Sequence, residues 1–210
     1  MSIDPWRVGN ELNDISASPD DLKRQRILER AAKVFLAYGI QRTTMDDIAK
    51  AAEMSRPALY LLFRNKIDIY QAIALGYFDA SVAAAREVLA GDGPLDTRLN
   101  LMLERSIFAM MEEFMRSPHG PEIIDMKNQL AADTLAGWKG AMVRLVAEAL
   151  DRAARDSGVD LAARGFSAGT LASLFFDAVE GMKARLQNLD ELREAARSLV
   201  CVVTRAVSPG

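Results

Sequence analysis

The chain has 210 residues, half of them apolar and 26% charged, with a net charge of −3. This composition predicts a folded globular protein of one or two domains and excludes a disordered chain. A single cysteine and a single histidine exclude an intrachain disulfide framework, a cysteine-based zinc site and most histidine-based catalytic pairs.

The charge is unevenly distributed along the chain. Residues 22–66 contain ten basic and four acidic side chains, a net charge of +6, which leaves −9 for the other residues. A basic N-terminal part on an acidic body predicts that the N-terminal part meets a polyanion. The N-terminus has no apolar signal core, and no apolar run reaches the roughly 18 residues that span a bilayer. We therefore expect a cytoplasmic protein.

Helical periodicity predicts an all-α fold of about nine helices. Residues 1–19 are predicted to be an N-terminal arm, with Trp6 as its one large apolar anchor. The predicted helices that follow span about residues 20–38, 45–52, 56–63, 67–90, 95–116, 121–130, 133–156, 167–187 and 189–207.

The first of these helices has a clear apolar face, and Gly39 is predicted to end it in a left-handed conformation. The residues of that face are Ile27, Ala31, Val34, Phe35 and Tyr38.

Residues 43–66 predict two short capped helices joined by a tight turn. Thr44 is placed to cap the first, with Asp47 three residues later completing a capping box. Ser55 is placed to cap the second, and Pro57 falls in its first turn, where a missing N–H costs little. Inside a basic segment this pattern fits a helix-turn-helix, whose second helix enters the major groove of DNA. The alternative is an ordinary pair of packed helices.

This segment closely resembles the DNA-binding domain of the TetR family of bacterial transcriptional repressors. The resemblance is specific over about residues 22–70, and the rest of the chain is similar in its all-helical architecture only. The matching residues are Ala31, Phe35, Tyr38, Gly39, Thr43, Thr44, Ile48, Ala49, Ala52, Ser55, Leu59, Tyr60, Phe63, Asn65 and Lys66.

The resemblance implies a division into an arm at 1–19, a helix-turn-helix domain at 20–66, and a ligand-binding and dimerisation domain at 67–210. It also implies a repressor that forms a homodimer through its last two helices. The homodimer binds a palindromic operator and is released from it by a small molecule. Such a protein is not an enzyme, and we expect no cofactor and no metal. The alternatives are an all-helical small-molecule-binding protein or enzyme without a DNA function, and a helical adaptor that binds protein.

The resemblance assigns Thr44, Tyr60 and Lys66 to phosphate contacts, and Arg56 to the base edges, with guanine as its preferred partner. A core tyrosine and a solvated lysine are the alternatives for Tyr60 and Lys66. The full set of implied DNA-contacting positions is Thr44, Met45, Ser55, Arg56, Pro57, Ala58, Tyr60, Leu61 and Lys66.

This sequence departs from the family pattern at two places. Glu53 stands in the turn where the family commonly has glycine, which would cost free energy if the backbone there is left-handed. Leu61 and Leu62 stand where the family often has polar or aromatic residues, so we expect one of them to contact thymine methyl groups.

The resemblance implies a small-molecule effector in the C-terminal domain, and the residues available there favour an apolar one. A methionine-rich and aromatic stripe is suited to a ligand pocket because methionine is flexible and polarizable, although such a stripe is more often ordinary core. The predicted pocket residues are Met102, Phe108, Met111, Met115, Trp138 and Phe175. We further expect His119 to be solvated in its loop and Cys201 to be a buried apolar residue.

Overall fold

A computed structural model describes residues 18–120, 122–123, 132–186 and 188–209. Within these ranges the chain is all helical, as predicted, and forms eight helices without a strand. The first four are α1 (Pro19–Tyr38), α2 (Met45–Ala51), α3 (Arg56–Tyr60) and α4 (Lys66–Ala90). Helix α5 runs through Leu95–Leu103, a π-helical turn at Glu104–Phe108, and Ala109–Arg116. The last three are α6 (Ala132–Asp156), α7 (Ala168–Arg185) and α8 (Leu189–Ala206).

Most of the predicted helix limits are confirmed to within two residues, with two exceptions. The third helix ends at Tyr60 instead of continuing to Phe63, and α5 contains a π-helical turn that the sequence did not indicate. The predicted arm at 1–19, apart from its last two residues, and most of the predicted helix at 121–130 lie outside the described residues.

Helix α1 begins and ends as its sequence dictates. Ser18 and Asp21 form a capping box at its start, and Gly39 ends it with φ at +79°. The predicted apolar face is buried except for Tyr38, which is 64% exposed. The expectation for Tyr38 was wrong. Periodicity shows on which face of the helix a side chain lies, but it does not show how far along the helix that face is covered by the rest of the protein.

The chain divides into two compact units. The N-terminal unit contains the described residues up to 80 and those within 110–135. Its core is a cluster of apolar side chains from α1, α2, α3 and the first half of α4. The segment after α5 is attached by Ser117, whose hydroxyl donates to the carbonyl of Leu36 (2.7 Å), and by Tyr70, whose hydroxyl donates to the carbonyl of Ile123 (2.7 Å). Burial raises the pKa of Tyr70, so its phenol stays protonated as a donor.

The C-terminal unit contains residues 81–109 and 136–210. Its core includes Met102, Met142, Phe175 and Phe176, each at most 1% exposed. The rings of Phe175 and Phe176 pack edge to face with their centroids 5.5 Å apart. Among the described residues, no helix is both long and apolar enough to cross a membrane.

Candidate nucleic-acid interface

Helix α3 has one buried side and one exposed side. Ser55 caps it by accepting the N–H of Ala58 (3.3 Å), and Leu59, with no exposed surface, holds it against the core of the N-terminal unit. Phe63, just after the helix, is 1% exposed and strengthens this attachment. The side chains left on the outer surface are those of Ser55, Arg56, Pro57, Tyr60 and Leu61.

Two of these outer side chains are paired. Arg56 Nη2 donates to the hydroxyl of Tyr60 (3.3 Å), and the guanidinium lies 5.5 Å from the centroid of the tyrosine ring. Because Tyr60 is 44% exposed, the alternative of a core tyrosine is wrong. The tyrosine hydroxyl keeps a proton that it can donate, and this O–H and the remaining N–H groups of Arg56 suit phosphate oxygens and base edges.

Leu61 is the most exposed large apolar side chain of the described residues, at 87%. Leu62 is half-buried and packs against the core. Of the two leucines, Leu61 is therefore the one available to an apolar partner such as a thymine methyl group.

Arg24 of α1 holds the end of α3, and sequence reasoning missed it. Its Nη1 donates to the carbonyl of Leu62 (3.1 Å), and its guanidinium lies 4.2 Å above the ring of Phe63. The sequence showed only that α1 contains a cluster of basic residues. Which of these residues contacts the end of α3 depends on tertiary packing, which the sequence does not show.

Thr44 forms the predicted capping box at the start of α2. Its oxygen accepts the N–H of Asp47 (3.2 Å), and its N–H donates to the Asp47 carboxylate (2.9 Å). The Thr44 hydroxyl also donates to that carboxylate (2.6 Å), and this bond lowers the pKa of Asp47. Thr44 is exposed, but its hydroxyl must release Asp47 before it donates to a phosphate.

Two other predicted contacts are placed differently from expectation. Met45 is 8% exposed and belongs to the core cluster, so the prediction that it reaches the groove is wrong. The first position of α2 faces inward, which the sequence pattern alone did not reveal. Ala58 is half-buried at the rim of α3.

Lys66 lies against the chain itself. Its ammonium donates to the carbonyl oxygens of Ile40 (2.7 Å), Gln41 (2.9 Å) and Thr43 (2.9 Å). An ammonium has three N–H donors, so all of them are taken by protein carbonyls. This arrangement leaves no donor for the phosphate contact expected from the sequence, and the half-buried side chain is not the alternative solvated lysine either.

The turn between α2 and α3 contains a left-handed residue, so the condition under which Glu53 would cost free energy is met. Glu53 has φ at +56° and is the one residue other than glycine with positive φ in the described part of the chain. Its carboxylate pairs with Arg26 of α1 (2.9 Å).

The six predicted pocket residues are divided between the two units. Met102, Phe108, Trp138 and Phe175 are buried in the C-terminal unit, whereas Met111 and Met115 lie in the N-terminal unit and Met115 is 51% exposed. A cavity of about 30 Å³ lies in the N-terminal unit between apolar side chains of α1 and α4. None of the six lines it, and it is too small for an ordinary ligand, which needs several hundred Å³.

A buried polar group lies among the apolar side chains of the C-terminal unit. Trp138 Nε1 donates to the hydroxyl of Ser81 (3.1 Å), which donates to the carbonyl of Ser106 in the π-helical turn (2.8 Å). The hydroxyl of Ser106 is buried and has no hydrogen-bond partner among the described residues. A buried polar atom without a partner is unusual in a folded protein.

The expectations for His119 and Cys201 were wrong. The side chain of His119 is 27% exposed and lies 3.7 Å from the Glu122 carboxylate, so it is half-buried against the protein. Cys201 is exposed on α8 because its position faces away from the core that Val200 and Val203 enter.

A capped helix pair with a buried anchor and an exposed second helix, in a basic segment, is a helix-turn-helix domain. Residues 27–73 match the family model described as bacterial regulatory proteins, tetR family. Over its helix-turn-helix segment the chain is therefore similar to the bacterial regulatory proteins of the tetR family.

Individual relatives agree with this assignment. The chain is 28% identical over 159 residues to the HTH-type transcriptional activator FasR of Mycolicibacterium smegmatis, covering 73% of this chain and 66% of the relative. It is 32% identical over 111 residues to the HTH-type transcriptional repressor BepR of Brucella suis, covering 50% and 49%. The chain thus spans less than two thirds of the length of these curated relatives.

The fold extends beyond the helix-turn-helix segment. A putative TetR-family transcriptional regulator from Mesorhizobium loti superposes with a TM-score of 0.65 at 18% identity, covering 89% of this chain and 97% of the other. At this identity the superposition shows a common fold.

Proposed function

We propose that this chain is a transcriptional regulator that acts as a repressor, binding a palindromic DNA operator as a homodimer and leaving it when a small molecule binds. The observation that carries this proposal is the outer surface of α3, where Arg56, Tyr60 and Leu61 stand exposed on a helix anchored by Leu59 and Phe63. A rigidly attached helix that presents a cation, a phenol and an apolar tip is suited to the major groove.

In this proposal, different side chains contact the DNA bases and the DNA backbone. Arg56 reads guanine, Leu61 contacts a thymine methyl group, and Tyr60 donates to a phosphate. Thr44 and the N-terminus of α2 add a second phosphate contact once the hydroxyl turns away from Asp47.

The dimer forms through the outer faces of α7 and α8. Leu174 is 59% exposed and Val202 66% exposed on these two helices, and large apolar side chains left in water favour burial against a partner. A two-fold dimer would present its two α3 helices to half-sites about 34–36 Å apart.

The effector binds within the C-terminal unit, near Met102, Phe108, Trp138 and Phe175. The buried hydroxyl of Ser106, which has no hydrogen-bond partner among the described residues, supplies a single polar recognition point in apolar surroundings. This combination suits a mostly apolar molecule that carries one hydrogen-bonding group.

The experiment that tests the DNA function is selection of random duplexes with the purified chain, followed by affinity measurements on the enriched sequence. We expect an enriched palindrome, whose binding is lost in Arg56→Ala and kept in Arg152→Ala, an exposed arginine of α6. No enrichment by a folded protein would favour a small-molecule-binding protein or an adaptor.

A reporter gene under the enriched sequence tests the direction of regulation. Repression requires that expression rise when the gene for the chain is deleted. A fall in expression would make the chain an activator, as the name of FasR says of that relative.

A further inference from the structure

The main chain between α1 and α2 is held by two charged side chains from other segments of the N-terminal unit. Lys66 binds three carbonyl groups of this loop, at Ile40, Gln41 and Thr43. Glu122, in the segment after α5, accepts the N–H of Gln41 at its Oε1 atom (2.9 Å). Both polar groups of the Gln41 main chain are therefore bound, one by a cation and one by an anion.

These are charge-assisted hydrogen bonds, which are shorter and stronger than those between neutral groups. Gln41 itself is exposed, so water would otherwise compete for its N–H and carbonyl. The Lys66 ammonium is half-buried, and the Glu122 side chain is 29% exposed, which reduces this competition.

Gly39 makes the approach of Glu122 possible. A Cβ atom at this position would lie 2.6 Å from Glu122 Oε2, closer than real Cβ atoms come, so the carboxylate would have to shift; His119 Nδ1 would be a tight contact at 3.0 Å. The positive φ of Gly39 also disfavours any side chain there. Ser117 adds a further attachment through its bond to the carbonyl of Leu36.

The held loop leads directly into Thr44, the cap of α2. A shift of Gln41 would move Thr44 and the N-terminus of α2, which lie next along the chain. We propose that Lys66 and Glu122 are positioning residues for DNA binding, which fix the 39–43 loop so that Thr44 meets the DNA backbone, while neither touches a phosphate. This inference rests on the proposed DNA-binding function.

The first test measures affinity for the selected operator at several salt concentrations. Lys66→Met keeps the aliphatic stem and removes the donors, and Glu122→Ala removes the acceptor. We expect each to weaken binding by about two- to thirtyfold, with the salt dependence of the wild type. A phosphate contact by Lys66 would instead lower the slope of log K against log salt by about 0.9, and that result would overturn the proposal.

Combination and conservative variants separate positioning from a general loss of structure. The double variant Lys66→Met/Glu122→Ala should lose less affinity than the product of the two single losses, because both residues act through the 39–43 loop. Glu122→Gln retains an acceptor oxygen and should recover most of the affinity, whereas Arg152→Ala should change nothing. Full additivity, or wild-type affinity in Glu122→Ala, would contradict the proposal.

Hydrogen exchange of the Gln41 amide tests the loop itself without DNA. The amide should be protected in the wild type and exchange faster in Glu122→Ala, whereas the amides of α1 should exchange as in the wild type. Equal exchange in the two proteins would show that the carboxylate does not hold the loop. If the wild type binds no operator while this difference persists, the proposed function fails and the loop attachment stands.

Discussion

Arg26 of α1 reaches across to the turn between α2 and α3 and forms an ion pair with Glu53, the residue whose backbone is left-handed. Both side chains are more than half exposed, so the pair contributes less than about 1 kcal/mol. The left-handed conformation of a residue with a Cβ atom costs on the order of 1–3 kcal/mol. The ion pair therefore offsets only part of the strain.

This balance gives a prediction from two substitutions at one position. Glu53→Ala removes the ion pair and keeps the strain, whereas Glu53→Gly removes both. We expect the glycine variant to be more stable than the alanine variant by about 1 kcal/mol in urea unfolding. Arg26→Ala serves as the control for loss of the pair alone. Equal stability of the two Glu53 variants would show that the turn carries no strain.

Base reading by α3 is tested with two substitutions and one matched control. Arg56→Ala should cost about 1–3 kcal/mol in operator affinity and relax the preference at one base pair of each half-site. Leu61→Ala should weaken a preference for thymine, because it removes the apolar tip. Leu75→Ala, at a leucine of α4 that is 50% exposed, should leave both affinity and preference intact. Unchanged sequence preference in Arg56→Ala would mean that α3 enters the groove in another register.

The elements that the sequence predicted well are those set by local interactions. The capping box of Thr44 and Asp47, the Ser55 cap and the ends of most helices depend on residues within a few positions of each other. The exposed positions of α3 followed from the resemblance together with the periodicity of a short helix.

The parts that the sequence missed depend on contacts between distant residues. Lys66 binds carbonyls more than 20 positions earlier in the chain, and nothing near Lys66 indicates this. Met45 was assigned to the groove because it follows the cap of α2, but the core cluster encloses it. The π-helical turn at Glu104–Phe108 adds one residue to a turn without a local signal such as proline.

The capping box of α2 predicts a dependence of stability on acid. The Thr44 hydroxyl lowers the pKa of Asp47 below its usual 3.8, so the folded state binds the proton less readily than the unfolded chain. The stabilisation is then complete above about pH 4 and is lost as the pH falls through the lowered pKa. We expect Asp47→Asn to flatten the fall of the urea midpoint between pH 4 and pH 2. The pKa of Asp21 is lowered in the same way, by a hydrogen bond from the Ser18 hydroxyl. Asp21→Asn should therefore have the same effect as Asp47→Asn, and the two effects should add.

Two serines of the C-terminal unit give opposite predictions for the same substitution. Ser81→Ala leaves Trp138 Nε1 and the carbonyl of Ser106 without the partner that Ser81 provides, and should cost about 1–3 kcal/mol in urea unfolding. Ser106→Ala removes a hydroxyl that has no partner among the described residues and should be neutral or stabilising.

If Ser106 recognises the effector, Ser106→Ala should also lose operator release by the effector while keeping the affinity for DNA. Phe108→Leu, a conservative change in the same turn, should shift the effector concentration for half release. A normal release curve for Ser106→Ala would remove Ser106 from the effector site.

Self-association through α7 and α8 is predicted from the side chains that the chain leaves uncovered there. Several large apolar residues of these helices, among them Phe175 and Val203, are buried in the core of their own unit, so they cannot provide the interface. Leu174 and Val202 are left for a partner. A carboxylate buried in an apolar contact is costly to desolvate, so Leu174→Glu and Val202→Glu should each give a monomer in sedimentation equilibrium at micromolar concentration.

Leu101→Glu, at a leucine of α5 that is 40% exposed, should remain a dimer and so controls for the added charge. The exposed Cys201, beside Val202, offers an independent readout. Its reaction with a thiol reagent should slow as the protein concentration rises in the wild type, since the partner would cover it, and should not depend on concentration in Leu174→Glu. A wild-type chain that sediments as a monomer would exclude this interface, and the palindromic operator would then have to be occupied by two independent chains.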